Sequence, residues 1–132
     1  MVFGDSSGFI AAIDGCDADH AAAARAFRAL AKSREAVVTT ALVLAETVTH
    51  LRRRSGWVAS RKMGEAIVNS RAIELVCPTR EQLDAAWRDF IRDPDPKLSL
   101  CDSLSFIVMR ERGIARALTF DRHFVAAGFS IL

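Results

Sequence analysis

The chain has 132 residues, 51% apolar and 26% charged, which excludes disordered, collagen-like and low-complexity classes and is enough for one folded domain with its own core. Eighteen Lys and Arg against sixteen Asp and Glu give a net charge of +2, which by itself indicates neither a nucleic-acid binder nor an acidic-substrate binder. Cys16, Cys77 and Cys101 form no C-x-x-C pair, no apolar run approaches the ~18 residues of a membrane span, and Met1 to Asp5 lack a basic leader, so a reducing, cytoplasmic setting is expected.

Val2-Phe3 reads as a short strand that breaks at Asp5 into a helix over Ser7 to Ile13. Gly15 to Asp19 is turn-like, and Asp19 is the expected N-cap of the Ala-rich helix Ala21 to Leu30. Ala36 to Thr39 is a β-branched, buried strand. Thr40 then caps a helix to about Arg54, with Leu44, Val48 and Leu51 on one stripe. Gly56 turns the chain into a helix over Trp57 to Ser70. A third strand, Ile73 to Val76, closes at Pro78, and Thr79 caps a helix to Arg92 with Glu81 and Gln82 in its first turn. Asp93-Pro94-Asp95-Pro96 is a stiff, non-helical connection. Ser99 opens a helix that stops at Gly113, Ala117 to Phe120 is a fourth strand, Arg122 to Ala127 is a short helix, and Gly128 to Leu132 is an edge strand. Strands alternate with helices throughout, which predicts a parallel sheet covered on both faces. Ligands of such sheets sit beyond the carboxyl ends of the strands, which directs attention to Asp5 and Asp121.

Three acids stand alone in segments that are otherwise apolar or hydroxylic. Asp5 is the only charge from Met1 to Ile13, Glu46 the only one from Val37 to Leu51, and Asp102 the only one from Ser99 to Met109. An ionised carboxylate in such surroundings costs several kcal/mol unless a cation meets it. No Lys or Arg lies nearby in sequence, and a divalent ion is an economical answer. Structural roles compete with this reading. Asp5 can form an Asx-turn or N-cap, Ser99-x-x-Asp102 has the form of a capping box, Glu46 can lie on an exposed stripe with Thr47 and His50, and Asp121 can cap the short helix at Arg122.

Other chemistries find no support. His20, His50 and His123 lack zinc-helix spacing; there is no phosphate-binding glycine loop and no G-x-S-x-G elbow; the thiols have no activating neighbour in the sequence. One basic cluster stands out. Arg52, Arg53 and Arg54, then Arg61 and Lys62, bracket Gly56-Trp57 just after the Glu46 helix. They read either as a solvated helix end or as a rim that grips the phosphates of RNA.

Four blocks in order carry a resemblance: Phe3-Gly4-Asp5-Ser6-Ser7; Thr39-Thr40 through Val43-Leu44-Ala45-Glu46; Leu98 to Ser105, with its Ser-x-x-Asp helix start; and Ala117 to Phe124 followed by Ala127-Gly128-Phe129. Together they resemble the PIN-domain ribonucleases, most closely the toxin component of VapBC-type toxin–antitoxin pairs. The departures are small: Ser6 stands where Thr is commoner, and Cys101 precedes Asp102 at a variable place.

The resemblance implies an α/β, three-layer domain over residues 1–132, with a central parallel sheet of four to five strands and helices on both faces. It implies an endoribonuclease that hydrolyses phosphodiester bonds with Mg²⁺ or Mn²⁺, leaving 5′-phosphate and 3′-hydroxyl ends. Asp5 and Asp102 would be core ligands, Glu46 would bind directly or through water, Asp121 would complete a weaker position, and Ser6 and Ser99 would orient the carboxylates. It implies three partners: an RNA substrate, a small antitoxin covering the acidic groove, and a second copy of the chain, for which Trp57 and Trp87 are candidate contacts. Two alternatives remain open at this level: a catalytically inactive PIN-like module that binds RNA or protein, and a doubly wound phosphotransfer domain using Asp5.

Overall fold

The computed structural model describes residues 1–132. Five strands form one parallel sheet in the order β3-β2-β1-β4-β5, where β1 is Val2–Gly4, β2 Val37–Thr40, β3 Ile73–Val76, β4 Arg116–Leu118 and β5 Ser130–Ile131. β1 and β2 are wholly buried, as a strand covered on both faces must be.

Between β1 and β2 run α1 (Ser6–Ile13) and α2 (His20–Ser33); between β2 and β3 run α3 (Ala41–Arg54) and α4 (Trp57–Asn69). The chain then crosses back through α5 (Arg80–Arg92) and α6 (Leu100–Glu111) to β4, and through α7 (His123–Ala126) to β5. α1 packs on α2, α3 and α4, whereas α6 packs on α5 and α7. Right-handed crossovers place these two groups on opposite faces of the sheet, because the connections step in opposite directions along it. The core runs through the sheet, from Phe9, Leu51 and Ile67 to Phe106, Met109 and Phe124. No helix is long and apolar enough to cross a membrane.

The strand order reverses between β1 and β4, and a crevice opens there beyond their carboxyl ends. Phe3 pairs with Ala117 and Gly4 with Leu118, so the next residues, Asp5 and Thr119, leave the ladder side by side.

Two elements depart from expectation. The fourth strand ends at Leu118, not Phe120, because Thr119 and Phe120 turn from the ladder to other partners: Phe120 N donates to Ser7 Oγ (2.9 Å) and Asp121 N to Thr119 Oγ1 (3.0 Å). Asp19 stands at the N-cap of α2, but its side chain caps nothing, since its backbone is not extended (φ −95°, ψ 3°). Thr40, Thr79 and Ser99 do cap α3, α5 and α6 with their side chains.

Candidate metal centre

Asp5 is the N-cap of α1 and only 2% exposed. An N-cap side chain accepts from the second or third residue of its helix, and here Asp5 Oδ2 accepts from Ser7 N (3.2 Å) and Ser7 Oγ (2.7 Å). Thr119 Oγ1, fully buried, donates to the same oxygen at 2.8 Å. Each hydroxyl has one proton, and both protons go to Asp5; the two hydroxyl oxygens stand 3.0 Å apart. The other oxygen, Asp5 Oδ1, is buried and has no hydrogen-bond partner at all.

Asp102 is 6% exposed and sits at the third position of α6, where a capping box forms: Ser99 N (2.8 Å) and Ser99 Oγ (2.7 Å) donate to Asp102 Oδ2, and Asp102 N donates to Ser99 Oγ (3.0 Å). All of its bonds fall on one oxygen, as at Asp5. The structural roles open to Asp5 and Asp102 are therefore real, and each uses half of a carboxylate.

Burial raises the pKa of both acids, against the hydrogen bonds of Ser7 and Thr119 to Asp5 and of Ser99 to Asp102. The charges of Asp5 and Asp121 raise Asp102 further. Cys101 is buried beside them. Its thiol is pushed up by desolvation and then by the charges of Glu46, Asp5 and Asp102, so it stays protonated and inert.

Glu46 differs from the other two. The buried face of α3 carries Val43, Thr47 and Leu51, and Glu46 lies exposed on its flank. The desolvation argument thus applies to Asp5 and Asp102 and not to Glu46, whose charge nonetheless reaches Cys101. Asp121, half-buried, accepts on Oδ1 from His123 N (2.9 Å) and lies 2.6 Å from His123 Nδ1. The Ser6 hydroxyl makes no hydrogen bond to a carboxylate; that contact belongs to Ser7. The N-cap rule, which reaches from Asp5 to its second following residue, is the signal that finds Ser7. The same spacing runs from Asp121 to the backbone N–H of His123, whereas Thr119 has no comparable local signal.

No group of three or more His, Cys, Asp or Glu side chains is arranged to hold a metal ion outright. The donor set still fits a hard divalent cation. Mg²⁺ commonly takes only one or two protein carboxylates and completes its shell with water and substrate phosphate. Asp5 Oδ1, a buried acceptor without a donor, is what a cation in the crevice would satisfy.

The basic cluster divides. A surface groove of about 720 Å³ is lined by Ala45, Glu46, Thr49, His50, Arg53 and Arg54, the exposed face of α3. Arg53 extends it away from the acids, whereas Arg54 Nε is paired with Asp14 Oδ2 (3.0 Å) at the end of α1. Arg61 pairs with Glu65 (2.7 Å) and lies over the Trp57 ring, and Lys62 stands with it around the start of α4, apart from the groove. Arg52 is exposed and outside the groove lining.

Residues 2–130 match the PIN domain model. The chain is 36% identical over 129 residues, 98% of its length and 95% of the relative's, to the 23S rRNA-specific endonuclease VapC20 from each of two strains of Mycobacterium tuberculosis. It superposes on the crystal structure of Mycobacterium tuberculosis VapC20, a Sarcin-Ricin loop cleaving toxin, with a TM-score of 0.87 at 35% identity, covering 98% of this chain and 96% of that one. A switch-point crevice holding half-satisfied buried carboxylates, in a fold shared along nearly the whole chain, identifies this protein as a member of the PIN-domain family.

Proposed function

We propose that this protein is a metal-dependent endoribonuclease, residues 1–132 forming one nuclease domain, and that it acts in the cytoplasm as the toxin of a type II toxin–antitoxin pair. The observation that carries the proposal is the buried, unpartnered Oδ1 of Asp5 beside the second buried carboxylate, Asp102. Similarity to VapC20 supports RNA as the substrate class and makes the sarcin–ricin loop of 23S rRNA the first sequence to try. It also supports a small antitoxin as partner. The exposed Trp57 and Trp87 are candidate contacts of a homodimer.

In this reading Asp5 and Asp102 are the main ligands of Mg²⁺ or Mn²⁺, with Glu46 and Asp121 at the margins. When bound, the ion would acidify a water and neutralise charge developing on the scissile phosphate. Ser7 and Thr119 hold one oxygen of Asp5, and Ser99 holds one oxygen of Asp102, so each carboxylate keeps its second oxygen aimed rather than rotating freely. Cys101, buried near the acids, keeps an uncharged thiol. Arg53 offers a cation to a backbone phosphate farther along the groove, a contact that positions the strand without reading its bases.

The test is cleavage of a sarcin–ricin stem-loop RNA in Mg²⁺. Asp5→Asn and Asp102→Asn should each lower turnover by at least about a hundredfold, the scale of losing one strong group from a preorganised electrostatic site. Glu46→Gln should also abolish cleavage if Glu46 is a ligand, and Asp121→Asn should be milder. Full activity in either Asp5→Asn or Asp102→Asn would remove that residue from the site, and cleavage that survives chelation would exclude the metal.

A further inference from the structure

The ring of His123 is held on both sides. Nδ1 is 2.6 Å from Asp121 Oδ1, and Nε2 is 3.1 Å from Asp95 Oδ2. Asp95 belongs to the connection between α5 and α6, Asp93 to Ser99. Pro94 and Pro96 flank it and fix the backbone on both sides. Its other oxygen accepts from Lys97 N (2.9 Å), its carbonyl accepts from Leu98 N (3.2 Å), and its own N–H donates to Asp93 Oδ1 (2.9 Å). The Asp95 carboxylate is thus presented from a braced, proline-flanked turn, four residues ahead of the Ser99 cap that holds Asp102.

The consequence falls on Asp121. Its Oδ1 takes both the backbone N–H and the ring nitrogen of His123, and no hydrogen bond reaches its Oδ2. Asp5 and Asp102 show the same division, one oxygen tied by the protein and one left over. Without the ring, Asp121 would keep only the local bond from His123 N, one hydrogen bond in place of two contacts.

We propose that His123, braced by Asp95, is a positioning residue that fixes the Asp121 carboxylate and couples the α5–α6 connection to the metal centre. The inference rests on the reading of Asp121 as part of that centre. Outer partners of this kind typically cost 10–100-fold in metal affinity or activity when removed. Asp121 is the weaker member of the set, so the low end of that range, about tenfold, is expected.

The experiment is a double-mutant cycle on the full chain, with His123→Ala, Asp121→Asn and the pair, read by Mn²⁺ affinity in calorimetry and by kcat and KM on RNA. His123→Ala should weaken Mn²⁺ binding and lower kcat about tenfold with KM for RNA unchanged, and should add nothing in the Asp121→Asn background. His123→Asn, whose amide can stand where Nδ1 stands, should recover most of the loss. Asp95→Ala, an exposed change that leaves the ring in place, should reproduce part of it even if His123→Ala folds poorly. Equal losses in both backgrounds, an effect on KM alone, or no loss in His123→Ala and Asp95→Ala while Asp121→Asn is impaired would overturn the positioning role and leave the nuclease reading standing. A silent Asp121→Asn would remove Asp121 from the centre and the inference with it.

Discussion

A buried carboxylate with one oxygen unpartnered is in an unfavourable state as an anion; Asp5 is in that state, and Asp102, nearly as buried, makes all of its side-chain hydrogen bonds through one oxygen. Both have pKa values raised by burial, so folding makes them bind protons more tightly than the unfolded chain does. The sign follows from linkage. In metal-free protein their contribution to stability falls as pH rises from the unfolded carboxylate range, near pH 4, through their folded pKa values. Asp102→Asn should therefore melt at least as high as the unmodified chain at neutral pH, and its advantage should shrink on acidification. Melting curves against pH in chelator check this; a variant less stable than the parent at neutral pH would show that the capping box outweighs the buried charge. These two acids were legible as lone charges in apolar stretches. The same isolation misleads for Glu46, because the exposed face of α3 is itself poor in charge near Glu46, carrying Ala45, Thr49 and His50. Isolation in sequence reports burial only where both faces of an element are covered.

At the scale of elements, the site depends on how closely α1 approaches β4. Gly8 is the contact: a Cβ there would meet the Leu118 carbonyl oxygen at 2.5 Å, and that oxygen already accepts from Asp5 N (3.1 Å). Gly8→Ala must push α1 away from β4, by strain of about 1–3 kcal/mol, and stretch the Ser7 and Thr119 bonds to Asp5. Denaturant unfolding should show that loss, together with reduced cleavage; a variant as stable and active as the parent would mean that the approach has slack. α3 makes a second, separable prediction. Arg53→Ala should weaken RNA binding and reduce its salt dependence by roughly 0.7 log unit, one phosphate contact on a single strand, in an Asp5→Asn background where nothing is cut. Arg61→Ala, already engaged with Glu65 and Trp57, should leave the slope unchanged, and equal slopes for both variants would return Arg53 to an ordinary helix end. Most element boundaries were legible, because Thr40, Thr79 and Ser99 cap where hydroxyls precede helices. The early end of β4 was not. Thr119 and Phe120 look like strand in sequence, and their partners in the site lie more than a hundred residues away in the chain.

Over the whole molecule, the alternation of strands and helices read from the sequence is the observed parallel sheet, and its reversal between β1 and β4 gathers residues from both ends of the chain. Asp5 meets Thr119 across the switch point, and His123 meets Asp95 where α7 and the α5–α6 connection come together on one face of the sheet. Periodicity and turn chemistry reveal the order of such elements. They do not reveal contacts between distant segments, so the Thr119–Asp5 bond and the Asp95–His123 contact are visible only in the fold. The central claim is that Asp5 and Asp102 together create a divalent-cation centre. Its most direct measurement is calorimetric titration of Mn²⁺ into the RNA-free protein and into Asp5→Asn and Asp102→Asn. Saturable binding in the parent, lost in both variants while their folds persist, is the predicted result; binding of equal strength in all three proteins, or none in the parent, would contradict it.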